Sequence, residues 1–102
     1  KELAELVELV GSGGIRDLTG LEYATNLTFL GLLGNQISDV RPLASLTKLN
    51  GLYLQGNIIV DVKPLVSLTD LYELWLNANP LDQEAIDVCV PSLRARSVRV
   101  KL

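Results

Sequence analysis

The sequence predicts an α/β solenoid: a chain wound into coils of 22 residues, one short strand per coil stacked into a parallel sheet, closed by a C-terminal helix–strand cap. Three observations predict it. Residues 49–59, LNGLYLQGNII, recur 22 residues earlier as LTFLGLLGNQI (27–37) and 22 residues later as LYELWLNANPL (71–81). Inside this phrase leucines stand in register at 27/49/71, 30/52/74 and 32/54/76, asparagines at 35/57/79 and an aliphatic residue at 37/59/81. The second half of the period repeats as well, Asp39-Val40-Arg41-Pro42-Leu43 answering Asp61-Val62-Lys63-Pro64-Leu65. A fixed period of this size marks stacked units, none of which buries its apolar face alone.

The 102 residues make one domain: residues 1–14 as an N-terminal cap or degenerate repeat, 15–81 as repeats, and 82–102 as a C-terminal cap. The opening KELAELVELV fits two patterns. As a helix it places Leu3, Leu6, Val7 and Val10 on one face, with Gly11 to end it. As an eroded repeat, Leu3, Leu6 and Leu9 copy the spacing of Leu46, Leu49 and Leu52, with the loop before Ile15 one residue short. A helical turn followed by a strand near residues 8–10 satisfies both, and terminal repeats are commonly atypical.

From Ile15 the period is clear, although Gly20 stands where Pro42 does and Ala24 replaces Leu46. In each strand Leu30/Leu52/Leu74 and Leu32/Leu54/Leu76 point inward, so the residues between them point outward. Asn35, Asn57 and Asn79 sit where the chain leaves the strand and turns within the core. Backbone groups there need partners, and a short amide supplies both donor and acceptor, so these three form a structural ladder. Pro42 and Pro64 fit the first turn of a 3₁₀-like return segment, where a missing N–H matters little. Asp39 and Asp61 recur with the period and read as turn-stabilising rather than metal-binding. After Leu81 the period stops. Asp82 can cap a helix over residues 83–95 with Ile86, Val90 and Leu93 inward, and Pro91 predicts a kink or two short helices. SVRVKL (97–102) then reads as a last parallel strand with Val98, Val100 and Leu102 inward and Arg99 and Lys101 outward, charges that discourage further stacking.

Several function classes are excluded by what is absent. Net charge is −3 with both signs interspersed and no basic stripe, which argues against nucleic acid. No apolar run is long enough to span a membrane. The sequence opens at Lys1 rather than Met and shows no signal peptide, which is expected of a mature or trimmed chain and says little about export. Cys89 is the one cysteine and there is no histidine to activate it, so it reads as a small hydrophobe near the helix's apolar face. Catalysis, cofactor and metal are not expected: no carboxylate pair, ligand cluster or phosphate loop has the needed spacing.

The period carrying L-x-x-L-x-L-x-x-N is the leucine-rich-repeat signature. With Asp39-Val40-x-Pro42-Leu43 and Asp61-Val62-x-Pro64-Leu65, and LTGLEYATNLT (18–28) as an entry repeat, the chain resembles bacterial leucine-rich-repeat proteins of the 22-residue, internalin-like class. The resemblance covers roughly residues 15–81, and residues 82–102 look like the terminal cap of related proteins. It implies a right-handed coil with a parallel sheet on the concave side and 3₁₀ or irregular segments on the convex side. It also implies a secreted or cell-surface protein that recognises a protein partner on the concave face, without catalysis or cofactor. Related proteins usually carry more repeats.

The outward strand positions vary where the inward ones do not. They run Phe29/Gly51/Glu73, Gly31/Tyr53/Trp75 and Leu33/Gln55/Asn77, with Tyr72 at a strand entry, so four of the five aromatics lie on or beside one face. Glycines alternate with rings, which predicts dents beside each ring. Rings in such places can simply rescue sheet glycines. Clustered, they also approach the few hundred Å² at which an apolar patch signals interaction. The expected binding set is Phe29, Leu33, Tyr53, Gln55, Tyr72, Glu73, Trp75 and Asn77. The occupant is another protein or, in the alternative, a second copy forming a homodimer through the same face. An unvarying frame with a varied face suits natural divergence and an engineered binder alike.

Overall fold

A computed structural model of the protein describes residues 5–102, so Leu3 and the first turn of the opening segment lie outside the described residues. The strands are β1 (Glu8–Val10), β2 (Phe29–Gly31), β3 (Gly51–Tyr53), β4 (Glu73–Trp75) and β5 (Arg99–Lys101). They form one parallel sheet in chain order. The strand near residues 8–10 is therefore present, and Glu8 pairs with Phe29, an offset one residue shorter than the 22 between Phe29 and Gly51. Leu6 and Leu9 pack against the core whereas Val7 and Val10 are exposed, the inward set of the eroded repeat rather than of a helix.

On the far side of each coil stands a 3₁₀ turn: Leu21–Tyr23, Arg41–Leu43 and Lys63–Leu65. Pro42 and Pro64 fall in the first turn of theirs. Asp39 and Asp61 accept hydrogen bonds from the backbone N–H of Arg41 (3.0 Å) and Lys63 (2.9 Å), which gives them the turn role. The Arg41 side chain, with that N–H, holds the Asp39 carboxyl down at about 2. The first coil differs for a physical reason. Gly20 has φ 100°, a conformation closed to proline, and its 3₁₀ turn begins two residues later than its counterparts.

Between sheet and turns lie the leucines, with Leu30, Leu52 and Leu74 fully buried in one row. The asparagines tie the rows together. Asn57 donates from Nδ2 to the carbonyls of Leu32 (3.0 Å) and Leu54 (2.9 Å), and its Oδ1 accepts from Ile37 N (3.0 Å). Asn35 does the same with Gly11, Leu32 and Ile15, and Asn79 with Leu54, Leu76 and Ile59. Each amide thus clamps its own coil to the preceding one. Asn57→Ala leaves the buried Ile37 N–H without a partner and is expected to destabilise by roughly 1–3 kcal/mol. Asn50→Ala, which loses one exposed bond to the Asp70 carbonyl, should stay within about 0.5 kcal/mol. Equal urea midpoints for the two variants would contradict the ladder.

The C-terminal segment packs on the last coil. Asp82 Oδ1 accepts from Ala85 N at 2.8 Å, the expected cap. Around Pro91 the chain forms two consecutive short helical segments, as expected, but of different pitch. A π-helical stretch, Ala85–Cys89, runs straight into the α-helix α1 (Val90–Ala95), and Val90 N bonds the Ala85 carbonyl five residues back. The wide turn absorbs the missing proline N–H. It also shifts the helical phase, which corrects the predicted inward set. Ala85, Cys89, Val90 and Leu93 are buried, while Ile86 is 40% exposed. Cys89 is a buried hydrophobe whose thiol is pushed up chiefly by that burial. Val98 and Val100 turn inward as expected, but Leu102 lies one residue past β5 and is 48% exposed.

Candidate functional site

Parallel pairing carries the outward residues into rows across all five strands. One row runs Glu8, Phe29, Gly51, Glu73, Arg99 and the next Val10, Gly31, Tyr53, Trp75, Lys101. Phe29, Leu33, Tyr53, Gln55, Glu73 and Trp75 line one shallow concavity together with Val10 and Gly31. Two members of the predicted set lie outside that lining: Tyr72, 54% exposed, and the half-buried Asn77. The carboxamide oxygens of Gln55 and Asn77 are buried and accept no hydrogen bond.

The dents predicted beside the rings are filled. A Cβ built on Gly31 would stand 3.5 Å from Phe29 Cε2, and one on Gly51 would stand 2.9 Å from Tyr53 Oη and 3.0 Å from its Cε2. Each ring therefore lies over the glycine of its own strand. This brings Phe29 and Tyr53 to 5.0 Å between centroids, tilted by 44°. Trp75 meets Tyr53 edge-on at 5.1 Å and 88°. Both contacts fall in the range of favourable aromatic pairs.

Tyr53 is held at its far end as well. Its Oη donates to Glu73 Oε1 at 2.5 Å, so Glu73, predicted as rim, is the clamp of the central ring. Burial first, then the Glu73 hydrogen bond and charge, push the Tyr53 phenol up to about 12. Gly51→Ala tests this packing, since Gly51 is not in the left-handed region and the backbone accepts alanine. The new methyl must displace the ring and break the bond to Glu73. The Tyr53 titration, followed by ultraviolet absorbance, is expected to fall from about 12 toward the ordinary value of 10.0 while the domain stays folded. An unmoved titration would show that the ring does not depend on the bare glycine.

Sequence reasoning left three residues out of this face. Val10 belongs to it through the short offset of β1, and Arg99 and Lys101 extend its rows at the other end. Lys101 Nζ stands 4.7 Å over the Trp75 ring, a cation–π contact. The alternation of SVRVKL carried the signal, but its register against β4 depends on the length of the helix between them. No group of three or more acidic, histidine or cysteine side chains among the described residues could hold a metal ion.

Residues 25–65 match the family described as Leucine Rich repeats (2 copies). Over 98% of its length the chain resembles the structure of an internalin, inlF, from Listeria monocytogenes, with 35% identity and a TM-score of 0.85, spanning 28% of that protein. Internalin C2 of the same organism is 34% identical over 87% of the chain and 36% of its own length, with a TM-score of 0.72. A leucine-rich-repeat protein of Leptospira interrogans is 25% identical over 96% of the chain and 26% of its own, with a TM-score of 0.84. No curated protein is similar enough to count as a match. The fold is the leucine-rich-repeat solenoid, and such repeats are in general protein-interaction modules. More narrowly, the chain is similar to the internalin-like leucine-rich-repeat proteins known from bacteria, and it spans about a third or less of the relatives named here.

Proposed function

We propose that this domain is a non-catalytic binding module that docks another protein on its concave sheet face, as part of a secreted or cell-surface protein. The observation that carries the reading is the locked chain of rings Phe29–Tyr53–Trp75, joined by contacts of 5.0 and 5.1 Å and fixed by Glu73. Side chains already held in place lose little rotamer freedom on binding, so most of the gain from covering them goes into affinity. Leu33, 55% exposed, adds aliphatic surface to the same patch.

Trp75 is the chain's one tryptophan and stands within this face, so its fluorescence reports occupancy directly. A protein retained by the immobilised domain is expected to shield Trp75 from a neutral quencher in proportion to the bound fraction. Unchanged quenching at saturation would move the interface elsewhere. Sedimentation of the free domain as a monomer is expected at tens of micromolar.

A further inference from the structure

The basic residues of the chain are concentrated at its C-terminal end. Four of the nine Lys and Arg fall within residues 94–102, a stretch without any of the twelve Asp and Glu. Two of the four are tied to backbone: Arg94 donates to the Val100 carbonyl at 2.9 Å, and Arg96 to those of Val66 and Leu68 at 2.7 and 3.3 Å. Arg99 and Lys101 are different. They stand on the concave side of β5, and neither joins an ion pair; the pairs among described residues are Arg41–Asp39 and Lys63–Glu84. Glu73, the cross-strand neighbour of Arg99, is already engaged by Tyr53. Lys101 rests over the Trp75 ring, which positions its ammonium at the edge of the aromatic floor. At the opposite end of the face stand Val10 and Phe29, with Glu8 on the outer strand.

Resting on the concave face as the partner-binding surface, we propose that the partner segment carries a carboxylate side chain and a bulky apolar one. The carboxylate sits between Arg99 and Lys101, and the apolar group covers Phe29 and Leu33. Charge complementarity supplies the first contact: an unpaired guanidinium and ammonium two residues apart on one strand face lie about 7 Å apart along the chain, close enough for one carboxylate to meet both. Glu8 sets the direction, because a reversed segment would set its carboxylate against Glu8, whereas at the other end the carboxylate meets Glu73 together with two cations, Arg99 and Lys101. Spacing follows from the sheet. Between β2 and β5 lie three strand intervals of about 4.8 Å, roughly 14 Å, which an extended segment crosses in about four residues.

Selection of random peptides displayed on phage tests this, with the domain and two folded variants as baits. Against the domain, the enriched peptides are expected to place Asp or Glu about four positions from a large apolar residue. Against Arg99→Ser/Lys101→Ser the acidic preference is lost and the apolar one kept; against Tyr53→Ala/Trp75→Ala neither survives. Replacing the acid of a selected peptide by its amide is expected to weaken binding to the domain about tenfold and to leave binding to Arg99→Ser/Lys101→Ser unchanged. Apolar enrichment with no acid would overturn the proposal while leaving the concave face as the binding surface. Enrichment that ignores both variants, or none at all, would overturn both. A domain that dimerises in solution and becomes monomeric in Tyr53→Ala/Trp75→Ala would make a second copy the occupant and overturn the acidic partner.

Discussion

Truncation after Leu81 is expected to leave a chain that aggregates instead of folding. The removed residues bury Ala85, Cys89, Val90, Leu93, Val98 and Val100 against the last coil, and Arg96 caps the Val66 and Leu68 carbonyls of its 3₁₀ side. Without them Leu71, Leu74 and Leu76 face water along one whole side, and β4 presents an open edge, since Leu76 N now donates to the Lys101 carbonyl. Burying a Val or Leu side chain contributes about 1.5–3 kcal/mol. Stripping three leucines and a sheet edge of their cover therefore removes an amount comparable with a domain's whole net stability of about 5–15 kcal/mol. Repeat arrays need terminal units with a polar outer face for the same reason. A milder cut grades the effect: Leu93→Ala, at a fully buried site, should lower stability by about 2–5 kcal/mol while the protein stays soluble. Static light scattering and urea unfolding of the three chains check both statements. A soluble fragment of residues 1–81 that unfolds cooperatively would show that residues 82–102 are not a cap.

The frame was legible because each coil repeats the same local problem. Leucines at fixed offsets, an asparagine at every turn and Asp-x-x-Pro on the return leave one way to stack, and the register of β2, β3 and β4 follows directly. Where the chain departs from the period, local pattern misled. An inward set written at 3.6 residues per turn chose Ile86, but the π-helical stretch ahead of Pro91 moves the phase to Ala85 and Cys89. The same segment fixes the offset of β5, so Arg99 and Lys101 were visible as outward charges without being visible as part of the binding rows. Within the site, strand alternation found the right face and most of its residues. Ring direction was not legible, because Tyr53 lies over Gly51 by virtue of a carboxylate on the next strand, 20 residues away. That contact also reassigns Glu73 from a solvated rim to the clamp of the central ring.

Tyr53→Ala/Trp75→Ala is expected to abolish partner binding while the coil stays folded. The two residues share a row on adjacent strands and stand in the middle of the sheet's span, where interface hot spots concentrate. Truncating an anchoring ring costs at least about 2 kcal/mol, roughly 30-fold in affinity. The rings touch at 5.1 Å, so the two losses couple and the double variant is the decisive one. Stability does not escape untouched, as outward residues on a bare sheet would suggest. The variant gives up the Phe29–Tyr53 and Tyr53–Trp75 contacts, each about 0.5–1.5 kcal/mol, and uncovers Gly51. The melting temperature should therefore fall by several degrees with circular dichroism unchanged. Tyr23→Ala supplies the control for a lost ring, since Tyr23 is exposed on a 3₁₀ turn away from the sheet and should leave affinity intact. If the partner bound the folded double variant as tightly as the parent, the concave face would not be its site, and the 3₁₀ side or the flanks of the coil would have to supply the contact.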